Sequence, residues 1–284
     1  MDASSAPRRP TRPRPLRDAA LAFTLLTALP LRVEWPAAEE RPDIAGWFPL
    51  VGAVLGLLAT AIVFLAGLVV GLAGPTAAAS YTFGPVAWPL AVIVVGTWAL
   101  ATRMLHWDGL ADTADGLGGA SKPAARRAIM ADSATGAFGA TAVAFVALAQ
   151  VASVATVLGT SAVTLTVKVA VLVAVPVLGR LAATMACWFG TPANPGGLGA
   201  SVVGRPRVAG ALATVVVLAT SAVMLHADAG TLGVGWLAAG ILIAGAIPHV
   251  LAGRVGGVTG DVMGASVLLT EASLLLLATL VVIA

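Results

Sequence analysis

"IAGWFPLVGAVLGLLATAIVFLAGLVVGLA", Ile44 to Ala73, runs thirty residues without a charged side chain. A helix on the surface of a soluble protein carries an apolar stripe and a polar face. Here every face is apolar, and the run exceeds the ~20 residues needed to cross a bilayer as a helix. The charge-free stretch continues to Thr102, 59 residues in all. A membrane β-barrel needs short segments that alternate apolar and polar residues, and that alternation is absent. The chain therefore reads as all-α, a polytopic integral membrane helix bundle.

Composition agrees. Of 284 residues, 59% are hydrophobic and 10% are charged, against about a quarter charged in a soluble domain. Charge-free runs predict spans near 44–74, 84–105, 136–159, 161–189, 208–226, 231–252 and 262–284. Ala19 to Leu31 is apolar but only 13 residues long, and reads as an interfacial or re-entrant helix. A basic, proline-rich tail over 1–18, with Arg8, Arg9, Arg12, Arg14 and Arg17, reads as a disordered cytoplasmic anchor against anionic lipid. Residues 19–284 then form one membrane-embedded domain. Nothing after the tail resembles a nucleic-acid module. Cys187 is the one cysteine, so neither an internal disulfide nor a cysteine-built metal site is available. The sequence leaves room for a homo-oligomer.

With the tail in the cytoplasm, the positive-inside rule sorts the loops cleanly. Arg103, Lys122, Arg126, Arg127, Arg205, Arg207 and Arg254 fall on the tail's side, while the loops near 75–83, 160 and 227–230 hold no lysine or arginine. Asp108, Asp112, Asp115, Asp132 and Asp261 fall on that same side, and Asp228 opposite.

"RMLHWDGLADTADGLGGA", Arg103 to Ala120, then needs explaining. If 106–117 is helical, Asp108, Asp112 and Asp115 project within about 60° of one another. Three carboxylates on one stripe at a bilayer edge repel unless something positive lies among them. All-oxygen ligands suit Mg²⁺ or Mn²⁺, which complete their shell with substrate phosphates. Gly109, Gly116, Gly118 and Gly119 would let a bulky substrate reach the backbone. A solvated helix end is the plain alternative, but ionisable residues at membrane depth are usually functional. His106 is placed to orient substrate or shuttle a proton. Asp132 or Ser133, before a glycine-rich helix start, fits an N-cap equally well. Arg126 and Arg127 suit phosphate or lipid headgroups. Arg180 approaches the acidic face, and Lys168 snorkels or pairs. Glu271, ten residues into the last span after Asp261, needs a partner or a water-filled cavity. His226 and His249 read as structural or interfacial.

"HWDGLADTADG", Trp107 and its neighbours from His106 to Gly116, resembles the signature of the cobalamin synthase family, the adenosylcobinamide-GDP ribazoletransferases. "FPLVGAVLG" (Phe48 to Gly56), "RRAIMADSATGAFGA" (Arg126 to Ala140) and "GGVTGDVMGA" (Gly256 to Ala265) resemble further blocks of that family, in its order, with Glu271 matching a later acid. Ala28 stands where arginine is usual and Leu268 where some members carry an acid, and neither is assigned a role.

The resemblance implies an Mg²⁺-dependent membrane enzyme that joins adenosylcobinamide-GDP to α-ribazole, or to its 5′-phosphate. GMP is released and adenosylcobalamin, or its phosphate, forms. On that reading Asp108, Asp112 and Asp115 hold one or two Mg²⁺ ions. Asp132 or Asp261 adds a ligand or the base, Arg126, Arg127 and Arg180 contact phosphate, and Gly116 and His106 lie against substrate. Two other readings remain. A CDP-alcohol phosphotransferase shares the opening of its motif with "DTADG" (Asp112 to Gly116) but not the rest. A non-enzymatic transporter would use Lys168 and Glu271 as a pathway.

Overall fold

The computed structural model describes residues 14–33, 43–73, 82–194, 200, 202–204 and 208–283. Among these the regular elements are helical: α1 (Arg14–Leu26), α2 (Phe48–Ala73), α3 (Ala87–Ala101), α4 (Leu105–Gly119), α5 (Pro123–Met130), α6 (Ala137–Gly159), α7 (Leu165–Phe189), α8 (Val208–Val255) and α9 (Gly260–Ile283). One isolated parallel bridge joins Pro192 to Val258.

Among the described residues six stretches are long and apolar enough to cross a membrane: Ala45–Val69, Gly84–Ala101, Ala137–Gly159, Leu165–Phe189, Ala229–Val255 and Gly260–Leu280. The expected seventh span lies in the first limb of α8. That limb is helical, but its apolar stretch, Val208–Val223, is shorter than the other six. The two limbs meet at Gly230 (φ 58°, ψ −140°), a conformation open to glycine and costly for any L side chain. The chain doubles back there: a Cβ on Gly233 would stand 2.8 Å from the carbonyl oxygen of Leu225.

α7 is the central post. Its residues from Val171 to Ala183 are almost all buried, wrapped by α2, α8 and α9. Gly56 lets α2 close on it, since a Cβ there would meet Val173 Cα at 2.5 Å, and Gly52, one turn earlier, lies against Pro176. Small residues four apart serve this role between membrane helices, where close van der Waals contact replaces the hydrophobic drive. The outer helices turn large apolar side chains outward: Phe64, Leu65 and Leu68 on α2, Val92 and Ile93 on α3, Phe145 and Leu148 on α6. In water these would be a liability, and against lipid tails they cost nothing.

Helix ends sort into two faces. The start of α2, the end of α3, the starts of α6 and α9 and the ends of α7 and α8 share the face that carries α4 and α5. α1 lies across it. Asp18, near its start, accepts a hydrogen bond from Asp43 N at 3.2 Å, and Asp43 Oδ1 accepts one from Trp188 Nε1, near the end of α7, at 3.2 Å. Just past its other end, Ala28 N donates to Ala101 O at the end of α3, at 2.8 Å. Both ends of α1 thus meet the same face, as an interfacial helix requires. The helix begins at Arg14, with Pro15 in its first turn, where a missing N–H costs nothing. Residues 14–18 are therefore helical, and the expected tail boundary at 18 comes several residues too late. Tail residues 1–13 lie outside the described residues, as do Arg205 and Arg207.

On the opposite face, Lys168 Nζ donates to Leu158 O (3.1 Å) and Thr160 O (2.7 Å). These are orphan carbonyls at the end of α6, so the buried lysine caps a helix.

Candidate active site

The chain leaves α3 through a tight turn in which Arg103 (φ 53°) and Met104 (φ 60°) adopt left-handed conformations. Met104 N donates back to Ala99 O at 2.8 Å, and Thr102 Oγ1 to Trp98 O at 2.9 Å. The turn launches α4 along the acidic face, an unbroken helix from Leu105 to Gly119.

α4 packs onto the start of α9 through glycine on both sides. A Cβ on Gly109 would stand 2.9 Å from Asp261 Cα, and one on Gly264 would stand 3.2 Å from His106 Cα. This approach brings Asp261 beside Asp108 and Asp112, from some 150 positions away in the chain. The α8–α9 connection that aims Asp261 turns on Gly256 (φ 87°) and Gly257 (φ 135°). Val258 N donates to Thr191 O at 2.8 Å, and Thr259 Oγ1 accepts from Val262 N at 3.1 Å to cap α9. Beneath α4 lies an apolar platform of Leu110, Met130, Val255, Val262, Ala265 and Leu268.

The acid stripe divides by burial. Asp108 is exposed, Asp112 half-buried and Asp115 buried. Asp115 closes the start of α6: Oδ2 accepts from Gly136 N at 2.7 Å and Oδ1 from Gly139 N at 2.8 Å. A Cβ on Gly136 would stand 2.6 Å from Asp115 Oδ1. The glycines of "TGAFG" (Thr135 to Gly139) thus cradle a carboxylate from another helix. α6 is capped neither by Asp132 nor by Ser133. Asp132 is exposed, and its Oδ1 accepts from Ala134 N at 3.0 Å in the turn before α6.

Asp112 is pushed up from 3.8 to about 6, first by burial and then by the charges of Asp108, Asp261 and Asp115. The repulsion expected from the stripe is present, and Asp261 adds to it. Among the described residues no three acids, histidines or cysteines converge closely enough to hold a metal ion by themselves. Asp108, Asp112 and Asp261 form an open acidic patch instead. Such a patch fits a hard dication that takes one or two carboxylates and completes its shell with water and phosphate oxygens.

Two of the four glycines of α4 differ from expectation. Gly109 and Gly116 are buried against neighbouring helices, while Gly118 and Gly119 are exposed. A Cβ on Gly116 would meet Met130 Cγ at 2.7 Å and Arg126 O at 3.1 Å, one on Gly119 would meet Ile129 at 2.8 Å, and Gly118 lies against the Phe138 ring. They are there so that α5, α6 and α9 can close around α4.

The arginines are also tied. Arg126 Nη1 donates to Arg254 O and Arg127 Nη1 to Val255 O, each at 2.7 Å, while Arg126 Nε donates to Ala120 O at 2.9 Å. The two side chains cap the C-terminal end of α8, where orphan carbonyls and the helix dipole favour cations. Arg180 does not reach the surface. It is buried in α7 and ion-paired to Glu271 of α9, whose other oxygen accepts from Gln150 Nε2 at 3.3 Å. Glu271 thereby has the partner its depth demanded. Gln150 was not singled out from sequence, although an uncharged amide in the middle of an apolar span is its signal. His106 is buried, with burial and then the charge of Arg180 holding its imidazole well below the ordinary range.

The model of the cobalamin-5-phosphate synthase family matches residues 18–279. An adenosylcobinamide-GDP ribazoletransferase of Frankia casuarinae is 39% identical over 276 residues, covering 91% of this chain and 93% of its own. One from Corynebacterium efficiens is 34% identical, covering 88% and 86%. One from Stutzerimonas stutzeri is 30% identical, covering 90% and 94%. No solved structure matches. The match spans all four motif blocks, three of which build the acidic face, and neither the CDP-alcohol nor the transporter reading accounts for that; the chain belongs to the cobalamin-5-phosphate synthase family.

Proposed function

We propose that this protein transfers the phosphocobinamide part of adenosylcobinamide-GDP to a hydroxyl of α-ribazole, or of its 5′-phosphate. A new phosphate–oxygen bond forms to the acceptor, the pyrophosphate bond breaks, and GMP leaves. The carrying observation is the meeting of Asp108 and Asp112 with Asp261 on one face of a membrane bundle, in a chain whose relatives bear that transferase name. Phosphoryl transfer of this kind depends mainly on positioning and charge neutralisation.

Asp108, Asp112 and Asp261 are the residues that would hold Mg²⁺. The ion would neutralise charge on the pyrophosphate and the leaving GMP. Asp115 keeps both oxygens bonded to the start of α6 and so holds the stripe in place. Asp132, exposed on the neighbouring turn, is the carboxylate free to take the acceptor's proton. Arg126 and Arg127 keep N–H groups that are not spent on α8, and guanidinium donors suit phosphate. The acidic face belongs to the cytoplasmic side of the cell membrane. Arg103, Lys122, Arg126, Arg127 and Arg254 all border it, which supports that orientation under the positive-inside rule.

The test is GMP release by purified protein in liposomes, given adenosylcobinamide-GDP with either acceptor, with and without EDTA. Release that needs an acceptor, stops in EDTA and returns with Mg²⁺ is the expected result. Acceptor-dependent release that continues undiminished in EDTA would remove the metal role, and no release with either acceptor would remove the transferase reading.

A further inference from the structure

On the face opposite the acids, a cavity of about 210 Å³ lies beneath the elbow of α8. Its floor is buried: Val167 and Val171 of α7, Leu225 and Trp236 from the two limbs of α8, and Ala278 of α9. Its mouth is exposed, at Ala162 and Thr164 just before α7 and at Leu232 just past the elbow.

The polar side chains around this cavity are already spent. Trp236 Nε1 donates to Leu274 O at 3.1 Å, and Thr164 Oγ1 accepts from Val167 N at 3.3 Å. Lys168 Nζ, next along α7, caps the end of α6. A buried water needs two to four polar partners, and an apolar cavity of ~150 Å³ stays dry and takes apolar guests instead. Left empty, such a cavity deprives its lining of dispersion contacts.

Depth names the guest. α7 has 25 residues, roughly 37 Å at 1.5 Å per residue, against a hydrocarbon core of ~30 Å. Val171 lies six residues past Leu165, and Trp236 six past Gly230. Both are therefore about 9 Å inside the helix ends, at the level of lipid tails rather than headgroups. Apolar surface continues from the mouth along the elbow through Leu232, Val234 and Val223, all exposed. Neither 160–164 nor 226–234 contains a lysine or arginine, so no cation stands at the mouth to select an anionic headgroup.

We propose that this cavity binds one acyl chain of a membrane phospholipid, recognised through the chain and not through its headgroup. The chain enters between Leu232 and the α6–α7 connection and packs against Trp236, filling the wedge between α7, the elbow and α9. The proposal stands apart from the transferase reading and needs no turnover to test.

The test uses lipid-stripped protein in detergent and phosphatidylcholine brominated on its acyl chains, which quenches indole fluorescence at close range. The emission of Trp236 is the part that Trp236→Phe removes. Trp236 is buried, so only a chain inside the cavity reaches it. Saturable quenching of that emission by more than half is the expected result. Ala162→Phe, which plugs the mouth from an exposed position, and Ala278→Phe, which fills the floor, should each reduce the quenching at least threefold. An unquenched Trp236 overturns the proposal. Quenching by bromobenzene but not by the lipid also overturns it, because the cavity would then be a small-solute site, and so does lipid quenching that both filled variants leave intact. If Trp236→Phe does not fold, the wild type decides. A phosphatidylcholine carrying a diazirine in mid-chain should label Val171 or Leu225, and labelling confined to exposed residues such as Phe64 and Leu65 overturns the proposal.

Discussion

Asp112→Asn should make the metal-free protein more stable while disabling it. The Asp112 carboxyl is raised from 3.8 to about 6 by burial and by Asp108, Asp261 and Asp115. Each tenfold change in a proton equilibrium is worth about 1.4 kcal/mol, so the full displacement corresponds to roughly 3 kcal/mol. Asp112 is only half-buried, and solvent screening reduces the cost to about 1–1.5 kcal/mol. The sign follows from proton linkage. The folded state binds more protons than the unfolded one between the two values, so stability falls as pH rises through that window. The penalty is complete above about pH 6 and absent below 3.8. In EDTA at pH 7.5 the asparagine variant should therefore unfold about 1–1.5 kcal/mol later than wild type, with roughly half that advantage at pH 5. Adding Mg²⁺ should stabilise wild type and not the variant, because a ligand that binds only the folded state raises its stability. The assay is denaturant or thermal unfolding in detergent at both pH values, with EDTA or Mg²⁺. A variant less stable than wild type in EDTA, or an advantage that does not shrink at pH 5, would refute the account of the acidic patch as mutually repelling carboxylates.

Four further substitutions have expected outcomes. Gly139→Ala drives a methyl into the Asp115 carboxylate and should cost about 1–3 kcal/mol; Asp115→Asn weakens the charge-assisted cap of α6 by about 1–2 kcal/mol, both read as thermal midpoints. Lys168→Met removes the donors on Leu158 O and Thr160 O and should cost about 2 kcal/mol or more, yet leave kcat of the folded protein intact; loss of kcat without loss of stability would restore a functional role for Lys168. Gly230→Ala imposes a side chain on φ 58° and ψ −140°, at about 1–3 kcal/mol, with nothing nearby for the methyl to strike; an unchanged midpoint would mean that the elbow relaxes.

Much of this protein was legible one-dimensionally. A bilayer demands long apolar helices because backbone polar groups must be satisfied within the segment, so Ile44 to Ala73 announced the architecture without reference to any neighbour. Thirteen residues are too few to cross, so Ala19 to Leu31 read as an interfacial or re-entrant helix, and a short helix is found there over Arg14–Leu26. Helical periodicity put Asp108, Asp112 and Asp115 on one stripe, and the ordered motif blocks carried the family. Periodicity fixes side chains relative to their own helix axis, however, and says nothing about which neighbour each sector meets. Packing decided that. It turned Asp115 into the start of α6, and brought Asp261 across from the last helix to join Asp108 and Asp112. It set α5, α6 and α9 against the glycines of α4, burying Gly109 and Gly116. It drew Arg180 inward to Glu271, and spent Arg126 and Arg127 on the end of α8. Each of these depends on contacts between segments far apart in the chain, where the low dielectric makes every buried charge and orphan backbone group find a partner, and a partner's identity is a property of the assembled bundle.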